Sequence, residues 1–550
     1  MENALNPHRV AALRLVRLTT FALACAAALA AAPSIAGVYN NSSWVPPGLP
    51  NSGIAQGSIF AITGTGLGPS ALVEVQSFPW PGAQGLAGTT VQVTVGSVTE
   101  NCIMIYSMAT QVAAVLPSVT PLGTGTLTLT YQGAKGTIAI QVVAANFGTI
   151  TLNGGGTGPA VVTDVSYVPI TMINPAHPGQ TLILWGTGLG AVTGDETQPP
   201  PQYDLGTGVQ VLVGNQPAAV SYGGRSSYPG LDQINFTLPP GLSPGCKTSI
   251  AVVVKGATGN VTTTAIAPAG QATCGDSTGL LTSANLQKAV ANGSLNIGGT
   301  QISRISSGDD TVLSYFGNFP LNSLIRSYGG SFLPSVGSCV AYEVGGSSLE
   351  TALVDPVQPT YLNAGQDLVI TGPGGTKTVP VNSTGFYYAT LATAPSVYIQ
   401  PGTYTVANGA GGTGVGALST VLTLPSAVVP TNIPTSVNRA QNLTLNWTGS
   451  SPFSVVSIFA YNGVLVKSSP ETSSYSYILC SANASSGSFT IPAAFLNLLP
   501  ANGYGTLTQT GVNLSIAGIP ETHFTAAGSP GVDAAVLTVF VSNGSVAALQ

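Results

Sequence analysis

Charge is the property that this chain has least of. Charged residues make up 6% of its 550 residues, whereas an ordinary soluble domain contains about 25%. The formal net charge is −5, so no strong field attracts nucleic acid or an anionic membrane. Hydrophobic residues nevertheless reach 44%, which is too many for a disordered chain. The composition predicts folded domains with a neutral polar surface and no nucleic-acid partner.

Groups that bind metals or transfer protons are also scarce. The sequence has three histidines and no Cys-x-x-Cys pattern, which leaves little for a zinc site. The adjacent acidic pairs at 195–196 and 309–310 offer oxygens to calcium, but a calcium site needs about six or more of them. We interpret both pairs as solvated loop residues and predict neither a metal nor a cofactor.

No apolar run is long enough for an ordinary membrane-spanning helix, which needs about 20 residues. Near the N-terminus, the uncharged stretch 18–32 follows the basic residues Arg9, Arg14 and Arg17. A basic segment followed by an apolar segment and small residues is typical of a secretory signal peptide. We therefore predict a signal peptide over residues 1–36.

The end of this signal peptide has alternatives. Small residues at 34–36 place the cleavage before Gly37, and residues 28–30 form a competing site. Cys25 is an alternative point for lipid attachment, although Ala22 stands where such a site wants Leu. In each case we expect the mature chain to be secreted or at the cell surface, with no membrane span.

What the sequence does contain is a motif that occurs twice. Residues 57–68 and 179–190 share the pattern Gly-x-x-x-x-Ile/Leu-x-Gly-Thr-Gly-Leu-Gly at an offset of 122 residues. Behind it, the Val-Gln-Val at 91–93 recurs at 209–211. An offset of this size is about one domain, so the chain contains two copies of one module.

Alternating β-branched runs bounded by Gly, Pro, Asn and Ser predict an all-β chain of short strands, which favours β-sandwiches. The length allows roughly three to five domains. We expect these segments after the signal peptide: repeat 1 at 37–147, repeat 2 at 148–275, an irregular mixed segment with one short helix at 276–356, a β unit at 357–427, and a C-terminal β-sandwich domain at 428–550.

Cysteine spacing adds a covalent constraint. Cys246 and Cys274 flank the last two strands expected in repeat 2 and are 28 residues apart. Closing a loop of that size stabilises the fold by roughly 3–4 kcal/mol in the chain-entropy model. We predict a disulfide between them, consider Cys339 with Cys480 as a further pair, and interpret Cys102 as a buried thiol.

The doubled motif resembles the IPT/TIG immunoglobulin-like domains, in the tandem form found in large secreted proteins of soil bacteria. Residues 40–44 resemble its opening Asn-Ala-Ala-Ser strand, and residues 230–235 resemble its Gly-Leu-x-Gln-Ile-Asn segment, from which repeat 1 departs. The spacing of Cys246 and Cys274 also resembles that form. Over residues 37–275, the resemblance implies tandem immunoglobulin-like β-sandwich domains that act as extracellular spacers or adhesive modules and share no catalytic residues.

Two segments match Gly-x-Ser-x-Gly, the pattern that surrounds the nucleophilic serine in many hydrolases. In the first, at 241–245, Pro244 follows the serine and has no N–H to donate to an oxyanion. The second contains Ser277 and precedes the one helical segment. A serine nucleophile also needs a base, and His177 and His523 lie in predicted loops. We predict that the protein is not an enzyme, and a secreted hydrolase or hydrolase accessory protein is the weakest alternative.

Contact with a partner is predicted at loops. The segment 223–232 is longer than its counterpart in repeat 1, and it contains Arg225 and Tyr228. Trp80, in a Phe-Pro-Trp-Pro sequence, is the most loop-like tryptophan. We predict a non-enzymatic extracellular surface, adhesion or matrix module that contacts a protein or polysaccharide through these residues or uses them against the next domain. The alternative is a carbohydrate-binding protein that uses Trp80 and Tyr228.

Overall fold

The computed structural model describes residues 32–200, 204–206, 208–304, 308–328, 333–345, 359–449, 453–466, 472–501, 511–541 and 543–549. Strands dominate throughout this part of the chain, so the all-β prediction is confirmed. Residues 1–31, which include most of the predicted signal peptide and Cys25, lie outside the described residues. No helix within the described ranges is long and apolar enough to cross a membrane.

Repeat 1 is a sandwich of two five-stranded sheets. Its strands are β1 (Ser34–Asn40), β2 (Ile54–Ala55), β3 (Ile59–Thr65), β4 (Val73–Glu74), β5 (Thr89–Val95), β6 (Val98–Asn101), β7 (Ile103–Ser107), β8 (Gln111–Val115), β9 (Gly123–Tyr131) and β10 (Ala134–Val143). The sheet orders are β1-β3-β8-β7-β4 and β2-β10-β9-β5-β6. The period-two alternation of β5 turns Val91 and Val93 into the core between the sheets.

The first strand begins earlier than residue 37, the predicted start of repeat 1. Ser34 pairs with Thr65 and Ile35 with Gly64, so residues 34–36 belong to β1 and its ladder with β3. Small side chains occur both in a cleavage segment and in an edge strand, so the sequence alone does not distinguish the two at residues 34–36.

Repeat 2 is formed by one nine-stranded sheet that surrounds its own core. Its strands are β11 (Gly148–Thr149), β12 (Val162–Asp164), β13 (Thr181–Thr187), β14 (Gln210–Val213), β15 (Gln216–Arg225), β16 (Asp232–Thr237), β17 (Gly245–Val254), β18 (Ala257–Thr258) and β19 (Thr262–Ile266). The strand order is β11-β13-β16-β15-β14-β17-β18, with β12 paired to β13 and β19 paired to β17. β15 pairs with both β14 and β16. In repeat 1 the corresponding stretch is divided at Cys102 into β6 and β7, which join different sheets.

The doubled motif occupies equivalent places in the two repeats. Strand β3 lies between β1 and β8, and β13 lies between β11, β12 and β16. After each strand the chain turns, and Leu67 and Leu189 are fully buried in their respective cores. The motif is therefore a core strand followed by a turn that returns one leucine to the core.

The remaining described chain continues the all-β architecture with short helices. Its elements are α1 (Ser283–Asn292), β20 (Ser294–Arg304), β21 (Asp310–Pro320), α2 (Leu321–Ser327), β22 (Ser338–Gly345), β23 (Thr360–Tyr361), β24 (Asp367–Gly372), β25 (Gly375–Pro380), β26 (Tyr387–Ala392), β27 (Gly402–Ala407), β28 (Ser419–Leu424), β29 (Val429–Pro430), β30 (Ser436–Val437), β31 (Leu443–Thr448), β32 (Val455–Val466), β33 (Thr472–Asn483), a 3₁₀ turn (Ala484–Ser486), β34 (Ser488–Ile491), α3 (Ala493–Leu496), β35 (Gly511–Ile519), β36 (Glu521–Ala526), β37 (Val532–Phe540) and β38 (Asn543–Leu549).

These strands form four sheets. One has the order β23-β21-β20-β37-β36 with β26 on β21, and a second has the order β22-β33-β32-β35-β38-β30. The smaller sheets are β25-β24-β27-β28 and β29-β31-β34. Helix α1 lies in the segment 276–356, where the sequence predicts a short helix: Thr282 caps its first turn by accepting from the Asn285 N–H, and Gly293 ends it with a left-handed conformation.

The sheets cross the segment boundaries expected from the sequence. Strand β20 pairs in parallel with β37, and β22 pairs with β33, so two described strands of the segment 276–356, which the sequence predicts to be irregular, share sheets with strands of 428–550. These partners are well over a hundred residues apart in sequence, and alternation within one strand carries no information about its partner in another segment.

Two disulfides brace the chain. Cys246 and Cys274 are bonded, with Cα atoms 5.2 Å apart, which is the pair expected from the sequence. Cys339 and Cys480 are direct partners across β22 and β33 and are also bonded. Cys102 is a buried free thiol whose pKa is raised by burial.

Candidate functional site

The most elaborate polar site in the first half of the chain lies where the two repeats meet. Arg225, the last residue of β15, is paired across the ladder with Asp232, the first residue of β16. The two side chains form an ion pair and are 1% and 0% exposed. Arg225 Nη2 also donates to the carbonyl oxygens of Gly57 in repeat 1, at 2.9 Å, and Gly190 in repeat 2, at 3.1 Å. One guanidinium therefore joins both repeats.

Asp232 holds the second copy of the turn. Its Oδ2 accepts from the N–H groups of Gly188, at 2.7 Å, and Leu189, at 2.8 Å. Burial raises the pKa of Asp232, while Arg225 and the two N–H groups oppose that rise. Because both oxygens of Asp232 and both terminal nitrogens of Arg225 are engaged within the protein, the ion pair fixes the turn rather than offering charge to a ligand.

This geometry divides the predicted contact loop into two parts. Arg225 is buried, so it is not accessible to an outside partner, and it contacts the neighbouring repeat instead. The sequence leaves open whether Arg225 contacts an outside partner or the next domain, and the contact observed is with Gly57 of repeat 1. Tyr228, three residues later, is 53% exposed and remains at the surface.

A threonine of the second motif continues the junction. Thr187 Oγ1 accepts from the Ile59 N–H, at 2.8 Å, and donates to the Gly230 carbonyl, at 2.6 Å. Gly230 has a φ of +73°, and a Cβ there would lie 2.6 Å from Ile59 Cγ1. Glycine thus allows the loop of repeat 2 to approach β3 of repeat 1 closely.

Two buried asparagines tie the linking segment to both repeats. Asn40 Nδ2 donates to the carbonyls of Asn146, at 3.2 Å, and Thr187, at 3.3 Å. Asn146 Nδ2 donates to the carbonyls of Asn51 and Gly53, each at 2.6 Å. The Asn146 carbonyl is thus satisfied by repeat 1, and the Asn146 side chain in turn holds the segment between β10 and β11 against repeat 1, where a mobile linker would leave these groups to water.

Glu196 forms a further contact across the junction. Its carboxylate accepts from the Ser118 N–H, at 2.8 Å, and the Ser118 hydroxyl, at 2.7 Å. Burial raises the pKa of Glu196, and the bonds from Ser118 oppose the rise. The sequence predicts that the acidic pair Asp195 and Glu196 is solvated. Asp195 is exposed, as predicted, but the prediction is wrong for Glu196.

Aromatic side chains cover one edge of the same junction. Phe78 and Trp80 are stacked with ring centroids 5.2 Å apart, and the Tyr228 ring lies 6.3 Å from Phe78. The backbone N–H of Trp80 donates to the Thr197 carbonyl of repeat 2, at 2.8 Å. We call Phe78, Trp80 and Tyr228 the aromatic cluster. It contains residues from both repeats, so its shape depends on the junction.

The residues considered for catalysis are dispersed. His177 Nδ1 lies 3.0 Å from the Ala267 carbonyl, and His523 Nε2 lies 3.6 Å from Glu521, which raises the pKa of His523. Ser277 is exposed. Within the described residues, neither histidine is hydrogen-bonded to a serine hydroxyl, and no group of three or more His, Cys, Asp and Glu side chains is placed to hold a metal ion.

Sequence reasoning found Arg225 but not its partners. The junction also contains Asp232, Thr187, Glu196 and Gly57. None of these four is predicted by the sequence as a contact between the repeats. A signal was present, since Arg225 and Asp232 are the two opposite charges that bracket a hairpin loop. Charged side chains are almost never fully buried unless they are paired, and a ladder that places Arg225 opposite Asp232 provides such a pair.

Comparison with known proteins gives no family assignment. No protein-family model matches the chain, and no curated protein matches it significantly. Solved structures similar to it include the tetra-tandem repeat in the extending region of a large adhesion protein, with 13% identity, 93% of this chain and 98% of that chain covered, and a TM-score of 0.12. Domains 5–6 of the S-layer protein SbsC have 14% identity, with 43% and 99% covered and a TM-score of 0.15. Titin immunoglobulin tandem domains A164–A165 have 8% identity, with 43% and 97% covered and a TM-score of 0.12. The fold class therefore rests on the sheets and cores described above.

Proposed function

We propose that this chain is a secreted, non-enzymatic module of the cell surface or extracellular matrix, in which repeats 1 and 2 act as one stiff spacer. The observation that carries the proposal is the junction centred on Arg225. Between the repeats, the Asn146 carbonyl accepts from Asn40 Nδ2 and the Asn146 side chain donates to the Asn51 carbonyl. Arg225 of repeat 2 donates to the Gly57 carbonyl of repeat 1. A flexible linker would leave such groups to water. Stiffness of this kind suits a module that holds a binding surface away from a cell.

The neutral surface supports the same proposal. With 13 Lys and Arg and 18 Asp and Glu in 550 residues, few groups can converge in one cleft as catalysis requires. Binding then depends on loops at the ends of the sandwiches, where the framework strands tolerate sequence variation.

The experiment is to produce the full chain in a bacterial host and to follow it by fractionation and by protease accessibility on intact cells. The proposal expects the protein in the medium or in a protease-accessible form on the surface. Retention inside the cell, or hydrolysis of a generic ester that is lost in Ser277→Ala, would contradict it.

The mature N-terminus gives a separate test of export. Because residues 34–36 are part of β1, we propose that cleavage follows the small residues at 28–30. Sequencing of the secreted protein should then give Ala31 as the first residue. A start at Gly37 would remove three residues of a paired strand, and finding it would contradict the proposal.

A second candidate function is carbohydrate binding by the aromatic cluster. The stacked pair of Phe78 and Trp80, with the exposed Tyr228 beside it, offers rigid apolar faces with polar edges, which suit stacking on sugar rings. A glycan array would identify a ligand, and Trp80→Ala should weaken its binding about tenfold or more, which corresponds to about 1.4 kcal/mol. Tyr388→Ala, at a comparably exposed tyrosine elsewhere, is the matched control and should leave binding unchanged.

A further inference from the structure

A buried lysine lies beside a buried aspartate where repeat 2 meets the C-terminal half. Lys247 follows Cys246 in β17, and Asp276 is two residues after Cys274, so the disulfide holds the two side chains in one place. Lys247 is 7% exposed and Asp276 is 9% exposed. The distance from Lys247 Nζ to Asp276 Oδ2 is 3.9 Å.

The two oxygens of Asp276 have different surroundings. Oδ1 accepts from the Cys246 N–H, at 2.9 Å, and from the Ser335 hydroxyl. Oδ2 has no hydrogen-bond partner among the described residues and faces the lysine amine. One oxygen is therefore held by two donors, as an oxyanion is in acyl transfer, while the other is free to leave.

A second carboxyl group opens onto the same place. A cavity of about 40 Å³ is lined by Lys247, Asp276 and Glu521. Glu521 accepts from the Gly279 N–H, at 3.2 Å, and its Oε1 lies 3.6 Å from His523 Nε2. The rest of the lining is largely apolar and includes Leu333, Pro334, Val455 and Ile519.

The surroundings of Lys247 favour the neutral amine, which is the form that acts as a nucleophile. Burial lowers the pKa of Lys247, and the carboxylates of Asp276 and Glu521 oppose that change.

We propose that Lys247 and Asp276 become joined by an intramolecular amide bond, with Glu521 as the proton carrier. Lys247 Nζ attacks Asp276 Cγ, and Oδ1 carries the negative charge of the tetrahedral intermediate between the Cys246 N–H and the Ser335 hydroxyl. Glu521 carries two protons in turn from Nζ to Oδ2, which then leaves as water.

The reaction is balanced without an oxidant or a cofactor. An ammonium and a carboxylate are converted into one amide and one water molecule, so the net charge of the pair is unchanged. The product ties β17 to the turn before α1 next to the disulfide, with a bond that reducing agents do not break. This modification does not depend on the proposed spacer function.

The test is a tryptic map of the reduced and alkylated full chain by mass spectrometry. Without the amide bond, trypsin cuts after Arg225, Lys247, Lys255 and Lys288 and releases residues 226–247, 248–255 and 256–288 as separate peptides. With it, Lys247 is blocked, and 226–255 stays attached to 256–288 with the mass of one water missing. Reduction is essential because the disulfide would otherwise join the same peptides. Finding the three separate peptides in the wild-type chain overturns the proposal.

Variants assign the roles. Glu521→Gln, checked for unchanged circular dichroism, should lose the cross-link, and Lys247→Arg cannot form it. The pair Lys288 and Asp533 is the internal control: its Nζ–Oδ1 distance is only 2.6 Å, but Lys288 is 49% exposed, so it should stay unlinked. A cross-link at full yield in Glu521→Gln would remove Glu521 from the mechanism, and a cross-link at Lys288 would show that proximity alone suffices.

Discussion

The two copies of the Gly-Thr-Gly-Leu-Gly turn bury the same leucine but hold their backbone differently. In repeat 1 the Leu67 N–H donates to the backbone carbonyl of Ala109, at 3.0 Å. In repeat 2 the Leu189 N–H donates to the carboxylate of Asp232, which is paired with Arg225. The first turn is closed by its own repeat, whereas the second is closed by an ion pair whose cation also reaches repeat 1.

The difference shows how one module acquires a junction without changing its core. Thr65 and Thr187 occupy the same place in the motif, yet Thr65 is exposed while Thr187 is fully buried and bonded to Ile59 and Gly230. The core strands are conserved between the copies, and the longer loop of repeat 2 supplies the contact. Matched substitutions in the two copies therefore separate two contributions to the free energy of unfolding: that of the turn itself and that of the junction between the repeats.

The largest effect is expected from Arg225→Ala. It leaves Asp232 buried without its counter-charge, and breaking a buried pair in this way costs about 3–5 kcal/mol. Hydrogen exchange of the full chain should show lost protection in both β3 and β13. Lys135→Ala, at an exposed cation of repeat 1, is the control and should change stability by less than about 0.5 kcal/mol. Equal protection in the two variants would contradict the account.

The next largest loss of stability is expected from Gly230→Ala. A side chain at φ +73° costs about 1–2 kcal/mol, and here it would also overlap Ile59 and Val115, so we expect a total of about 2–4 kcal/mol. Gly66→Ala is the matched control, because Gly66 has a φ of +67° and nothing lies within 4 Å of the added Cβ. Urea unfolding followed by tryptophan fluorescence should show the larger loss for Gly230→Ala. The reverse order would mean that the repeats are not in contact at this point.

Thr187→Val should cost about 1–3 kcal/mol, because it leaves the Ile59 N–H and the Gly230 carbonyl buried without a partner. Thr65→Val changes the same motif position in repeat 1, where the side chain is exposed, and should be within about 0.5 kcal/mol of the wild type. The two variants are compared by thermal unfolding. Equal shifts would show that the threonine serves the turn itself and not the junction.

An effect that depends on pH and has the opposite sign is expected from Glu343→Gln, at a second contact of repeat 1. Asn51 Nδ2 donates to Glu343, at 3.1 Å, and burial raises the pKa of Glu343 to about 8. Between the unfolded pKa of about 4.3 and 8, the folded state binds more protons than the unfolded state, so the contribution of Glu343 to stability falls as pH rises.

The variant should therefore match the wild type near pH 5 and exceed it near pH 9, when the melting temperature is measured across this range. A wild-type profile no steeper than that of Glu343→Gln would contradict the assignment. The junction at Arg225 should be unaffected by this change, which separates the two contacts of repeat 1.

Parts of this architecture were predictable because they are local. Strands β3 and β13 and the burial of Leu67 and Leu189 follow from a repeated apolar run and its turn. The parallel pairing of β20 with β37 does not follow, because each strand shows its own alternation but not its partner. The burial of Arg225 was missed because it depends on register, which brings Asp232 directly opposite.

The central claim is that repeats 1 and 2 form one stiff unit held by Arg225. Spin labels at Lys135→Cys in repeat 1 and Gln216→Cys in repeat 2, both exposed positions, allow the distance between the repeats to be measured by pulsed electron paramagnetic resonance in the full chain. A background of Cys102→Ala, together with Cys25→Ala where residues 1–30 are retained, avoids labelling of other thiols. The account predicts a single narrow distance distribution that broadens when Arg225→Ala is added. A broad distribution in the presence of Arg225, or one that Arg225→Ala leaves unchanged, would contradict it.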